Sequence, residues 1–134
     1  MDIEKVVLEI GQRASKASEE LGKAASTTKN QGLIEAANAI RSQSKQIMSA
    51  NHKDLENISG KGLSKAMIDR LKLGDTGIEA MAVGLEEIAN LEDPVGNILD
   101  SWERPNGLAI SRITVPLGVI GVIYESRPNV TADA

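Results

Sequence analysis

The sequence predicts an α/β fold in which a series of amphipathic helices is followed by a β-hairpin and the first strand of a parallel sheet. Apolar residues recur at helical spacing from position 3 to position 89. The pattern then changes to loose alternation on both sides of a Pro-Asn-Gly turn at 105–107, and ends in a nearly continuous apolar run over 117–124. A chain of 134 residues is long enough for one domain with its own core.

The first two helices are predicted from apolar stripes and capping residues. Ile3 to Leu21 is amphipathic, and Asp2 is placed to cap its start. The Ser-Thr-Thr cluster at 26–28 is expected to end that helix and cap a second one, whose apolar stripe runs from Leu33 to Met48. Two long helices are therefore expected in succession.

Three shorter helices are predicted next. Asn51 or His52 is expected to open a helix that extends to Ile58 and ends in a Ser-Gly-Lys-Gly stretch. The last two helices are expected over 64–71 and 76–89, and the Asp93-Pro94 pair stops the latter. Within it, Glu86 and Glu87 point in different directions and are expected to be solvated.

A hairpin and a buried strand are predicted for the remainder. Residues 98–104 and 108–115 form the two hairpin strands, and Gly107 supplies a positive φ in the turn. The run 117–124 is expected to be a strand buried on both faces, with Gly118 and Gly121 as packing glycines. Such a strand needs parallel neighbours and crossover helices that ten more residues cannot provide, so the sheet is expected to be incomplete in this chain.

Composition and charge exclude several classes of function. A net charge of −4 and a pI near 5.0 argue against nucleic-acid binding. The absence of cysteine excludes a disulfide framework, a thiolate metal site and a cysteine nucleophile within these residues, and we expect no bound metal. No apolar run approaches the length of a membrane span, and no signal peptide precedes the first helix, so a cytoplasmic protein without membrane contact is expected. Aromatic residues are 1% of the chain, so the core must be aliphatic.

One segment carries a specific family resemblance. Residues 115–131, which read VPLGVIGVIYESRPNVT, resemble the characteristic stretch of the γ-glutamyl phosphate reductases, also called glutamate-5-semialdehyde dehydrogenases. Parts of residues 50–55, 62–71 and 93–96 resemble the same family in the same order. The similarity covers nearly the whole chain. The family belongs to the aldehyde dehydrogenase superfamily. Its full-length members are much longer than this chain, so the resemblance implies an N-terminal fragment.

The resemblance also implies an activity and a place in the enzyme. The family reduces L-glutamyl 5-phosphate to L-glutamate 5-semialdehyde and phosphate in proline biosynthesis, with NADPH as hydride donor and a thioester on a cysteine. That cysteine lies outside these residues, so this chain alone is expected to be inactive. Residues 1–134 would be the N-terminal part of the cofactor-binding domain, with an aldehyde-dehydrogenase-like sheet. The hairpin at 98–115 would join subunits in a homo-oligomer.

Four residues after the apolar run are the candidate site residues. By resemblance, Asn129 is the candidate catalytic residue whose amide binds the oxyanion, with a backbone N–H as the alternative donor. Arg127 is suited to bind the carboxylate or acyl phosphate of the substrate, and the alternative is a structural ion pair with Glu125. Tyr124 and Ser126 could border the cofactor, although residues of these types more often pack or cap.

Other features of the sequence carry less chemistry. The Gly-Lys pair at 60–61 lacks the spacing and the preceding strand of a phosphate-binding loop. The single histidine, His52, is expected to be solvated. A second hypothesis, of a different class, is an autonomous helical interaction module that binds a partner through the hairpin edge or the first helix.

Overall fold

The computed structural model describes residues 2–58 and 60–134, which form helices and one antiparallel pair of strands. In chain order the elements are α1 (Ile3–Leu21), α2 (Ser26–Ser42), α3 (Ser44–Ile58), α4 (Lys65–Leu71), α5 (Asp75–Ala89), β1 (Ile98–Glu103), β2 (Ala109–Ile113) and α6 (Val130–Asp133). They divide into two compact units. The first unit comprises Met1–Ser26 and Glu92–Gly121, and the second comprises Thr27–Leu91 and Val122–Ala134.

The first unit contains α1 and the hairpin, both of which follow the sequence-based prediction. Asp2 caps α1, where its carboxylate accepts a hydrogen bond of 3.4 Å from the backbone N–H of Lys5. In the hairpin, Trp102 lies opposite Ile110, and Gly107 has a φ of +81° with its N–H 2.8 Å from the carbonyl oxygen of Arg104. The turn is therefore closed by the glycine geometry that the Pro-Asn-Gly sequence predicts.

The second unit packs α2, α3, α4, α5 and α6 around a small aliphatic core. Its buried apolar residues are Ala37, Ile78, Met81, Ala82 and Ala89. Four of these lie on α5, which therefore forms the centre of the unit. The core is aliphatic, as the composition predicts, and it offers little area for hydrophobic stabilisation.

The boundary between the second and third helices differs from the prediction. The chain breaks at Gln43, and α3 then continues through Asn51 and His52, so neither residue opens a helix. Asn51 is 5% exposed, and its amide donates 2.8 Å to the carbonyl oxygen of Leu71 and accepts 2.9 Å from the N–H of Leu73. A residue type typical of helix caps serves here as a buried tether, which periodicity cannot reveal.

The run over 117–124 is also different from the prediction, because the structure contains no strand there. Its side chains are exposed, with Leu117 at 87% and Val122 at 50%. In the part of the chain that the structure describes, no segment forms a ladder with this run. A strand exists only with a hydrogen-bonded neighbour, so the prediction of a strand buried on both faces is wrong for this structure.

A cluster of charged residues links α2 to α5, and it corrects the expectation that Glu86 is simply solvated. Arg41 donates to Glu79 at 2.7 Å and 3.0 Å and to Glu86 at 2.9 Å, with a further contact between its Nη1 and Glu86. These hydrogen bonds lower the pKa of both carboxylates and raise the pKa of Arg41.

We expect Arg41→Met to lower the melting temperature at neutral pH and to lose this effect in acid. Both glutamates have a folded pKa below the unfolded value of 4.5, so their contribution to stability is present above that value. It is lost as the pH falls through the lowered pKa, while Arg41 stays protonated. Thermal unfolding of the wild type and the variant, at pH 7 and at about pH 3, measures this change. Lys45→Met, at an exposed position of α3, is the control, and a difference between wild type and Arg41→Met that is equal at both pH values would contradict the prediction.

Candidate functional site

The four predicted site residues lie on one loop of the second unit that leads into α6. The loop is closed by a contact of 2.5 Å between the hydroxyl groups of Tyr124 and Thr131. At its end, the carbonyl oxygen of Asn129 accepts hydrogen bonds from the N–H groups of Ala132 at 2.9 Å and Asp133 at 3.0 Å. The chain therefore turns within a few residues, and the side chains of the loop differ in their exposure to solvent.

Ser126 adopts a backbone conformation that residues with a side chain rarely adopt. Its φ is +57°, and it is the one non-glycine residue with a positive φ among those that the structure describes. Such a conformation costs free energy, and it tends to occur where function constrains the chain. The outlier supports the idea that this loop has a purpose beyond connecting two elements.

The amide of Asn129 is held in a defined orientation. Its Nδ2 donates a hydrogen bond of 2.7 Å to the carboxylate of Asp133, one turn further along α6. Because an ionised carboxylate only accepts, the amino end of the amide must face it, and the second N–H of Nδ2 remains available to a ligand. Asp133 was not singled out by the sequence, yet it orients the candidate oxyanion donor.

Asn129 and Asp133 line a cavity of about 390 Å³ within the second unit. Arg70 and Lys72 line the same cavity, although sequence reasoning gave them no role. The other lining residues are Leu73, Gly77, Ala80, Met81 and Pro128. The cations precede Asn129 by more than fifty positions, so the spacing of residues along the chain gives no signal that they share a cavity.

The other three candidates do not line this cavity. The side chains of Tyr124 and Arg127 are exposed, and that of Ser126 is partly buried. Arg127 has no carboxylate within ion-pair distance in the described part of the chain, so the alternative of an ion pair with Glu125 is not observed. The guanidinium of Arg127 is therefore open to an anionic ligand.

A larger cavity of about 670 Å³ lies in the same unit and is predominantly apolar. Leu73, Met81 and Pro128 line both cavities, so the two spaces adjoin. Helices α2, α3 and α5 supply most of its remaining wall: Ala36, Ala39, Ile40, Ile47, Ala50, Asn51, Asp54 and Leu85, with Thr131 and Ala132 from α6. Three charged residues line the smaller cavity, whereas Asp54 is the one charged residue that lines the larger cavity.

Residues 2–58 and 60–134 contain neither a membrane-spanning helix nor a metal-binding cluster. None of the described helices combines the length and the apolar character needed to cross a membrane. Those residues also contain no group of three or more His, Asp or Glu side chains arranged to hold a metal ion. We take the loop at 124–131, with the cavity that Asn129 lines, as the candidate site.

The combination of fold and site defines a class of protein. Helices with one antiparallel hairpin are consistent with an incomplete α/β domain, and the oriented amide beside a cavity with charged walls gives that domain a candidate ligand site. Comparison with known proteins shows which enzymes the chain resembles.

The chain is similar to γ-glutamyl phosphate reductases over almost all of its length. It is 57% identical to the protein of that name from Paramagnetospirillum magneticum over 133 residues, and 52% identical to the one from Methylocella silvestris. These alignments cover 99% of this chain and 31% of each relative, so the chain spans about a third of the length of the curated relatives. No family model matches the chain.

Solved structures agree with the sequence comparison. The crystal structure of γ-glutamyl phosphate reductase from Thermotoga maritima superposes with a TM-score of 0.89 at 40% identity, over 93% of this chain and 30% of that one. The crystal structure of γ-glutamyl phosphate reductase from Saccharomyces cerevisiae superposes with a TM-score of 0.86 at 35% identity, over 93% of this chain and 32% of that one. Sequence and fold both relate this chain to about a third of the length of γ-glutamyl phosphate reductases, and the resemblance and the α/β fold class are confirmed. Nothing in these matches supports an autonomous interaction module.

Proposed function

We propose that this chain is part of an NADPH-dependent enzyme that reduces L-glutamyl 5-phosphate to L-glutamate 5-semialdehyde and phosphate in the cytoplasm, as a step of proline biosynthesis. The observation that carries the proposal is the 57% identity over 133 residues to a γ-glutamyl phosphate reductase. The 134 residues would form the N-terminal part of the cofactor-binding domain. Because these residues contain no cysteine nucleophile, they would contribute to the reaction by binding substrate and cofactor and by stabilising charge.

Asn129 is the residue that we assign to transition-state stabilisation. Attack on the acyl carbon places negative charge on the carbonyl oxygen, and an oriented donor lowers the energy of that state. The support is the hydrogen bond of 2.7 Å to Asp133, which fixes the amino end of the amide and leaves one N–H free. A backbone N–H of the same loop is the alternative donor.

Arg127, Tyr124 and Ser126 are assigned to ligand binding. The open guanidinium of Arg127 suits the carboxylate or the acyl phosphate of the substrate. The ring of Tyr124 is half-exposed and offers a flat face, and its hydroxyl contacts that of Thr131. The hydroxyl of Ser126 offers a hydrogen-bond donor. We assign Tyr124 and Ser126 to the border of the nicotinamide cofactor, and NADPH, when bound, would supply the hydride.

The test of the proposed function is the reverse reaction in the full-length protein. Oxidation of L-glutamate 5-semialdehyde is followed by the absorbance of the reduced cofactor, in the presence of NADP and phosphate. Activity that requires both is the expected result, and the 134-residue chain alone should show none. Absence of phosphate-dependent activity in a folded full-length protein would refute the proposal.

The hairpin at 98–115 is assigned to subunit contact, so we expect the full-length protein to form dimers or larger oligomers. Its apolar side chains are exposed, including the cross-strand pair Ile98 and Ile113, at 66% and 53%. Contiguous exposed apolar surface of this kind marks an interface. The double variant Ile98→Lys/Ile113→Glu removes that surface while opposite charges preserve the cross-strand pair, and it should sediment as a smaller species than the wild type.

The matched control for this experiment is Leu91→Lys, which changes another exposed apolar residue outside the hairpin. Its sedimentation should equal that of the wild type. A wild-type protein that is monomeric at high concentration would contradict the assignment of the hairpin to an interface.

A further inference from the structure

The cavity beside Asn129 has a charged wall whose composition is unusual for a structural void. Arg70 and Lys72 contribute two cations, Asp133 contributes one carboxylate, and Asn129 contributes an amide. No described carboxylate lies within ion-pair distance of either cation. Two positive groups at one small cavity without internal partners favour binding of an anionic group from outside the protein.

The two cations are mounted on an ordered part of the backbone. Asn51 binds the carbonyl oxygen of Leu71 and the N–H of Leu73, and so holds the backbone on both sides of Lys72. The preceding helix α4 is capped by Ser64 and ends directly after Arg70, at Leu71. Because this backbone is already ordered, ligand binding need not order it, and the entropy cost is confined to the side chains.

We propose that this cavity binds the head group of an α-amino acid, with Arg70 and Lys72 facing its carboxylate and Asp133 facing its ammonium group. The inference rests on the proposed function, and it assigns a place to the amino-acid end of the substrate. Asn129 lines the same cavity, so the inferred head-group site and the candidate oxyanion donor are neighbours.

The charges of the wall favour an amino-acid head group over a phosphate. A phosphate dianion would be attracted by the two cations but repelled by Asp133. A head group with one negative and one positive end matches both signs, and the carboxylate can accept two hydrogen bonds from the fork of Arg70. The carboxylate and the acyl phosphate are the two anionic groups of the substrate, and binding experiments can separate them.

The test is calorimetric titration of the full-length protein with probes that each lack one group. L-Glutamate carries both ends of the head group, glutarate lacks the amine, and 4-aminobutyrate lacks the α-carboxylate. Arg70→Gln should weaken binding of L-glutamate and glutarate by about tenfold or more and leave 4-aminobutyrate unchanged. Asp133→Asn should weaken L-glutamate and 4-aminobutyrate and leave glutarate unchanged.

Three comparisons make this result decisive. Lys72→Gln should follow the pattern of Arg70→Gln, whereas Lys65→Gln, an exposed cation of α4 outside the cavity, should bind all probes as the wild type does. Arg70→Lys should restore part of the affinity for glutarate. Inorganic phosphate, as a fourth probe, should bind the wild type and Arg70→Gln equally.

Two outcomes would overturn the inference. One is undetectable binding of L-glutamate to the wild type at millimolar concentrations, or equal binding to all the variants. The other is a loss of phosphate affinity in Arg70→Gln, because the cavity would then bind the phosphoryl group. Reductase activity measured on the same samples decides the proposed function separately, since an active enzyme can lack this subsite and an inactive protein can still bind L-glutamate.

Discussion

Replacing Asn129 with alanine in the full-length protein should lower turnover by about a hundredfold, because the loss of one oxyanion donor typically costs on the order of 3 kcal/mol in the transition state. Binding of NADPH should remain close to that of the wild type, because the amide acts on charge that develops during the reaction. Turnover is measured by cofactor absorbance at saturating substrate, and NADPH affinity by fluorescence titration.

Two variants serve as comparisons for Asn129→Ala. Asn38→Ala, at an exposed position of α2, should leave turnover unchanged. Arg127→Lys should mainly raise the Michaelis constant for the glutamyl substrate, if its guanidinium holds that substrate in both ground and transition states. Near-normal turnover in a folded Asn129→Ala protein would exclude the side chain and favour a backbone N–H as the donor.

Much of the secondary structure could be predicted because its causes are local. The side chains of Asp2 and Ser64 cap helices by accepting hydrogen bonds from backbone N–H groups three residues further along the chain. Gly107 closes a turn of a few residues. These interactions depend on residue type and short spacing, which a sequence displays directly.

The errors arise where distant parts of the chain meet. Asn51 has the side chain of a helix cap, and only the packing of α3 against the connection between α4 and α5 turns it into a buried tether. In the same way, Arg70 and Lys72 become part of a cavity with Asn129 through tertiary contact alone. The apolar run at 117–124 has the composition of a buried strand, but composition cannot supply the neighbouring strands that make one.

Removing the side chain of Asn51 should destabilise the protein more than any other single change considered above. The amide satisfies a backbone carbonyl and a backbone N–H on both sides of Lys72, and Asn51 itself is buried. Asn51→Ala would leave both part-buried backbone groups without this partner, at a cost of about 1–2 kcal/mol for each, in the lower part of the range for a buried group. We expect the free energy of unfolding to fall by about 2–4 kcal/mol in urea or thermal denaturation.

The matched control is Asn57→Ala, which makes the same substitution at an exposed position of the same helix. Because alanine has the higher helix propensity, this control should be neutral or slightly stabilising, and any loss in Asn51→Ala is then due to the tether. Amide hydrogen exchange gives a second measurement, since the N–H of Leu73 should exchange faster in Asn51→Ala and unchanged in Asn57→Ala. If both variants unfold at the same urea concentration, water must replace the amide at Leu71 and Leu73, and Asn51 would not be what fixes the position of Lys72.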